Sequence, residues 1–244
     1  FRIGGINGNL PAGLCGEELA DLGINPADTT TYDSDELWSY ELGFKSSFNN
    51  NRFTVNGAAY FIDWTDLQQL LRLACGFQTT FNAGEAESKG FELEMNAAIT
   101  ENLTGSFGVG YTDAEITDAG GAAGVEDGDA IQGVPDWTAN GTLEYMFPLS
   151  GDWEGLLRAD ANYYGESLST NKGNTSRVRD DWTAVNLRAG MLTEKYELVL
   201  YIDNATDERA NLSDNRSIAA EVPGRPRVVT NRPRTIGIDA RWTY

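Results

Sequence analysis

The last ten residues, Thr235 to Tyr244, alternate without a break. Ile236, Ile238, Ala240, Trp242 and Tyr244 fall on one side, and Thr235, Gly237, Asp239, Arg241 and Thr243 on the other. A period of two belongs to a β-strand, so this segment has one apolar and one polar face. Few patterns constrain a fold more tightly. A one-residue slip would exchange the two faces entirely.

Eight further segments alternate in the same way. Segment 37–48 sets Tyr40, Leu42, Phe44 and Phe48 against Glu41, Gly43, Lys45 and Ser47, and 52–64 shows Phe53, Val55, Ala59 and Phe61. Segment 88–100 carries Phe91, Leu93, Met95, Ala97 and Ile99, and 103–112 carries Leu103, Phe107, Val109 and Tyr111. The remaining segments are 136–147, 153–164, 182–192 and 195–203, each with one apolar face. Gly105, Gly108 and Gly110 lie inside such a strand, where they indicate tight packing or a bend, not a phosphate-binding loop.

Connections alternate as well. Short turns follow the first, third, fifth and seventh segments, whereas long loops fill 65–87, 113–135, 165–181 and 204–234, with 1–36 as another. Aromatic residues gather at both ends of the apolar faces. Phe44, Phe48, Phe53, Phe147, Trp153, Tyr196, Trp242 and Tyr244 lie near the turns, and Tyr40, Phe61, Tyr111, Trp137 and Tyr163 near the loops. Amphipathic rings favour the bilayer interface, and short turns opposite long loops are the pattern of an outer-membrane barrel. A soluble β-sandwich also alternates, but explains neither the loop asymmetry nor the two belts. The expected fold is therefore all-β, a transmembrane antiparallel β-barrel.

Composition agrees with this reading. The 244 residues include 27 glycines and 26 aromatics, and no run of eighteen apolar residues that a membrane helix would need. A net charge of −19 argues against nucleic acid as a partner, because a phosphate-binding surface needs the opposite sign. Histidine is absent, which removes the commonest general base and metal ligand. No nucleophile–base pair, cofactor site or metal-ligand spacing stands out, so an enzyme is not expected. The acidic stretch Asp113, Glu115, Asp118, Glu126, Asp127 and Asp129 lacks the EF-hand spacing for Ca²⁺. With neither an initiator Met nor a signal peptide, the chain is expected to be a mature or C-terminal fragment.

Several stretches resemble the C-terminal part of a TonB-dependent outer-membrane receptor. They are Ser39–Ser46, Arg52–Asn56, Ala59–Gln68, Asn82–Glu94, Leu200–Arg209 and Arg232–Ile238, in this order. The resemblance implies energised uptake of a scarce, bulky nutrient: a metal chelate such as a siderophore, cobalamin or an oligosaccharide. It implies about nine C-terminal strands (37–244) of a larger, plugged barrel of about 22, with 1–36 an extracellular loop region. The earlier strands, the plug and the TonB box that contacts the TonB complex would lie on sequence outside this chain. The location implied is the bacterial outer membrane, with long loops extracellular and the C-terminus periplasmic. Lipid, lipopolysaccharide and the barrel-assembly machinery are the other implied partners, Trp242 and Tyr244 being the candidate assembly signal. A passive or structural barrel of porin type, or a surface module binding through its long loops, are the alternatives.

Candidate functional residues follow from this frame. Glu41, Lys45, Glu92, Glu94, Glu144, Arg158, Asp160, Arg188, Glu197, Asp203, Asp239 and Arg241 fall on the polar faces. They either line a substrate path or pair with one another and with the plug. Trp64, Phe77 and Phe81 are aromatics of the mouth that can stack on a sugar or chelate ring, or pack loops together. Loop 204–234 holds Arg209, Arg216, Arg225, Arg227, Arg232 and Arg234, suited to an anionic ligand or lipopolysaccharide phosphates, or to ion pairs with the acidic loop. Cys15 and Cys75 lie in neighbouring external loops of an oxidising surface, which predicts a disulfide. Leu67, Leu70, Leu71 and Ala74 have helical spacing, so a short loop helix is expected before Cys75.

Overall fold

The computed structural model describes residues 1–21, 24–25, 29–73, 75–82, 84–120, 126–169, 178–215 and 227–243. In chain order the elements are β1 (Gly5–Ile6), α1 (Ala12–Asp21), β2 (Thr31–Tyr32), β3 (Glu36–Phe48), β4 (Phe53–Thr65), β5 (Gln68–Arg72), β6 (Gln78–Asn82), β7 (Glu85–Ala98) and β8 (Leu103–Asp118). Then come β9 (Trp137–Pro148), β10 (Glu154–Tyr164), β11 (Ser167–Leu168), β12 (Val178–Arg179), β13 (Trp182–Leu192), β14 (Tyr196–Asp203), β15 (Asn211–Asn215), β16 (Arg227–Thr230) and β17 (Thr235–Trp242).

Nine of these form one sheet in the order β3-β4-β7-β8-β9-β10-β13-β14-β17, each strand antiparallel to its neighbours. All nine correspond to the alternating segments. Register keeps the apolar positions together across the sheet. Leu42, Ala59, Phe91, Tyr111 and Trp137 are successive partners, as are Leu157, Ala189, Leu200 and Ile238. Some rings are accommodated by a glycine opposite. Phe44 lies over Gly57 and Phe147 over Gly155, where a β-carbon would collide with the ring.

Among the described residues no second layer covers the apolar face. Leu42 is 82 %, Leu200 54 % and Ile238 66 % exposed, whereas a sandwich would bury these positions. No helix among the described residues is long and apolar enough to cross a membrane. Strands crossing with this face toward lipid account for the exposure. Phe91, Tyr111 and Trp137 form a ring cluster with centroids 4.8–5.9 Å apart. In the next row Lys89 reaches Asp113 at 3.2 Å and Glu115 at 3.6 Å, so the apolar band ends there. From Trp153 to Tyr163, at about 3.3 Å per residue and a tilt near 40°, the band is roughly 25 Å tall, the height of a hydrocarbon-facing girdle.

The short connections have residues that suit them. Asn49, Asn50 and Asn51 all have positive φ, a conformation asparagine tolerates better than most side chains. The opposite end is more ordered than a set of plain loops. Segment 65–87 contains the β5–β6 hairpin, and 165–181 and 204–234 contain the β11–β12 and β15–β16 pairs. The helix expected at Leu67–Ala74 is not formed. Residues 68–72 are strand β5 instead, with Leu67 and Leu73 buried at its two ends and Leu70 exposed; Ala74 lies outside the described residues. Cross-strand pairing with β6 overrides the local helical spacing. Strand β8 also runs six residues past the expected end, because Glu87 and Lys89 of β7 continue to pair with Glu115 and Asp113.

The described part of residues 1–35 is tied down as well. Helix α1 is tied by the Cys15–Cys75 disulfide to the turn after β5, and Cys15, Leu19 and Leu73 make a small core. Asn7 donates to the Thr29 carbonyl and accepts from the Thr80 amide, both at 2.8 Å. Gln68 Nε2 donates to the carbonyls of Ile3 and Asp33, and Asn82 bonds both the amide and the carbonyl of Asp33. The described residues of segment 1–35 and the β5–β6 hairpin thus form one module.

Candidate functional site

Twelve charged positions read from the sequence as one face do share a face by register, alternating with the apolar rows. Part of that face is a connected ion network. Arg158 reaches Glu144 at 3.3 Å on one side and Asp160 at 2.8 Å on the other, and Thr142 donates to Asp160 at 2.9 Å. One strand over, Arg188 meets Asp203 at 3.5 Å and lies 5.8 Å from the Tyr201 ring. Arg241 pairs with Glu197 at 3.2 Å. Glu41, Lys45, Glu92, Glu94 and Asp239 share the face but make no ion pair with another described residue. Such a surface stays hydrated and offers charge to whatever packs on it.

At the long-loop end the same face carries Tyr164 and Trp182, register partners with rings stacked 4.5 Å apart at 16°. Neither was evident as a site residue from sequence. The signal was available: both are even-numbered in strands whose apolar residues are odd-numbered, so both belong to the polar face. Directly below them Asn140 and Asn162 are cross-strand partners, and the Asn140 side chain lies over Gly108.

The aromatics expected at the mouth fare differently. Trp64 is engaged: its indole N–H donates to Asp35 at 3.1 Å, and the Arg2 guanidinium lies 4.8 Å over its ring. Asp35 is buried and also accepts from the backbone and side chain of Arg2. Burial raises its pKa, but these hydrogen bonds and the Arg2 charge outweigh it and hold the carboxyl below the ordinary range. Phe77 is 42 % exposed at the tip of the β5–β6 hairpin, and Phe81 is half-buried opposite Gln69.

The arginine-rich loop divides too. Arg209 pairs with Asp207 at 3.2 Å, and Arg234 donates its amide to Asp207 and its side chain to the Ala205 carbonyl. The Arg234 amide, and beyond it the Arg209 charge, keep the Asp207 carboxyl below its usual range against a desolvation effect that raises it. Asn204, buried with positive φ, joins both ends of this loop by donating to the carbonyls of Glu208 and Arg232 at 2.9 Å each. The Arg232 side chain is exposed. Arg216, Arg225 and Tyr244 lie outside the described residues, as does the side chain of Arg227. In the acidic loop, Asp127 accepts from the Ala119 amide and Asp129 from the Glu126 amide, so these carboxylates shape the backbone.

The sequence matches a family of β-barrels over most of its length. The model of the TonB dependent receptor-like β-barrel matches residues 8–205. The probable TonB-dependent siderophore receptor PiuA of Acinetobacter baumannii is 27 % identical over 192 residues, 75 % of this chain and 24 % of that protein. The metal-pseudopaline receptor CntO of Pseudomonas aeruginosa is 28 % identical over 204 residues, 82 % of this chain and 27 % of the other. Among solved structures, the ferric yersiniabactin uptake receptor FyuA from Yersinia pestis aligns with a TM-score of 0.71 at 19 % identity, covering 87 % of this chain and 30 % of its own. The ferripyoverdine receptor of Pseudomonas aeruginosa gives 0.63 at 16 %, covering 86 % and 27 %. The chain spans about a quarter of the length of the relatives it matches.

Proposed function

Because the chain belongs to the TonB-dependent receptor family, we propose that it is the C-terminal barrel portion of an outer-membrane receptor for TonB-dependent active transport of a scarce, bulky nutrient. A metal chelate such as a siderophore is the leading cargo, since the relatives are named as siderophore and metal receptors; cobalamin and oligosaccharides are the other classes. One observation carries the reading: a nine-stranded up-and-down sheet with an uncovered apolar face and an ion-paired polar face.

Strands β3 and β17 each leave one edge unpaired among the described residues. Unsatisfied backbone groups in hydrocarbon cost several kcal/mol each, so the edges call for the remaining strands of a closed barrel. In that barrel the polar face lines the lumen. The Glu144–Arg158–Asp160 network then faces the plug and the cargo path, as do Glu41, Glu92 and Glu94, which make no ion pair among the described residues. The work is gating and not covalent chemistry: loops capture cargo, and the plug yields when the TonB complex pulls on the TonB box. The long loops face the cell exterior, where lipopolysaccharide surrounds them. The short turns and the C-terminus face the periplasm, where Trp242 and Tyr244 engage the barrel-assembly machinery.

The test is uptake of radiolabelled ferric chelates by cells carrying the full-length protein, with and without TonB. Uptake that requires TonB supports the reading. Equal uptake without TonB makes this a passive barrel.

A further inference from the structure

Tyr164 and Trp182 are a stacked ring pair on the polar face, where the rings of Tyr60 and Tyr201 instead lie singly, Tyr60 bonded to Thr112 and Tyr201 beside Arg188. Tyr164 is 41 % exposed, so the stack keeps an open side. On the lipid-facing side such a pair would need no explanation. On the polar face, hydrated apolar rings are costly unless a ligand covers them at work. Their position suits that task. They stand at the long-loop end of β10 and β13, with Thr138 as the next register partner of Tyr164 and the Asn140–Asn162 pair one step below. A ring platform above paired amides offers stacking to a flat face and hydrogen bonds to its edge.

The sign of the ligand follows from two independent features. Carboxylates outnumber the cations Lys45, Arg158, Arg188 and Arg241 on this face, and three of those cations are already engaged by acids. A cleft lined by one sign of charge within low-dielectric walls repels ligands of that sign. The open faces of Tyr and Trp carry the negative end of a quadrupole and attract cations. Both features disfavour an anion. Of the nearby arginines, Arg179, register partner of Ser167 at this end, already has an interaction of its own, and Arg209 and Arg234 are committed to the base of their own loop.

We propose that Tyr164 and Trp182, with Asn140 and Asn162, form a cargo subsite for a ligand with a flat ring face and zero or positive net charge. Neutral or cationic chelates and sugars share this chemistry; anionic chelates lack it. The proposal rests on the receptor reading for its place in a lumen, and on the local geometry for its selectivity.

The test uses the full-length receptor in outer-membrane vesicles and three planar aromatic probes of matched size. One bears a quaternary ammonium, one no charge and one a sulfonate, and binding is read by probe anisotropy. The expected order is cation, neutral, anion, with the spread narrowing at high salt. Trp182→Ala should weaken the cation about tenfold, Trp182→Phe should restore most of the loss, and resistance of the folded barrel to heat in detergent should not change. Anion binding as tight as cation binding overturns the proposal. So does the absence of binding by every probe, or a folded Trp182→Ala barrel with unchanged affinity. If uptake proves independent of TonB while the charge order holds, the receptor reading falls and the subsite stands.

Discussion

Replacing Leu200 with arginine tests the orientation of the whole sheet. Leu200 lies mid-strand in β14 between Ala189 and Ile238, 54 % exposed in the absence of lipid. It stands four residues above the Tyr196–Trp242 pair of the lower belt, about 10 Å along the membrane normal for a strand tilted near 40°. That leaves roughly 15 Å to the upper belt, close to the bilayer midplane. An arginine on the lipid face at this depth should cost about 2–4 kcal/mol. The assay is guanidinium unfolding of the full-length barrel in phosphatidylcholine vesicles. Asn162→Arg is the control: Asn162 faces the other way, so its variant should change stability by less than about 1 kcal/mol. If Leu200→Arg is neutral and Asn162→Arg costly, the two faces are assigned the wrong way round.

Three further outcomes concern the loop end. Reducing the Cys15–Cys75 bond, which closes a separation of 60 residues, removes at most about 4 kcal/mol of chain-entropy constraint; residues 1–35 should then be cleaved faster in limited proteolysis while the sheet stays resistant. Asp35 has a folded pKa below its unfolded one, so its stabilisation is complete above about pH 4 and lost as pH falls through the lower value. Trp64 fluorescence should report loosening of the module in acid, and Asp35→Asn should abolish that transition. Asn204→Ala leaves the Glu208 and Arg232 carbonyls without their donor and should cost about 1–3 kcal/mol, read as faster hydrogen exchange at both ends of loop 204–234.

The sequence by itself determined the sheet. Side chains in a strand alternate with a period of two, so residues such as Leu198, Leu200 and Ile202 against Glu197 and Asp203 fix which face meets lipid without any long-range information. Turn residues fixed the short connections in the same local way, as with the three left-handed asparagines at 49–51. The disulfide was legible because topology places Cys15 and Cys75 at one end of the sheet. Tertiary structure decided everything that depends on contacts across the chain. Leu67–Ala74 has helical spacing, yet pairing with β6 makes residues 68–72 a strand. Trp64 reads from sequence either as a stacking platform or as a loop-packing ring, and it is Arg2 and Asp35, distant in sequence, that occupy its face and its N–H. Tyr164 and Trp182 lie eighteen residues apart, at the ends of two strands where alternation gives the face but not the partner; only the register brings their rings together. Alternation is a property of one strand. A stack, a clamp or a hairpin is a property of two segments, and its energy exists only once the fold has joined them.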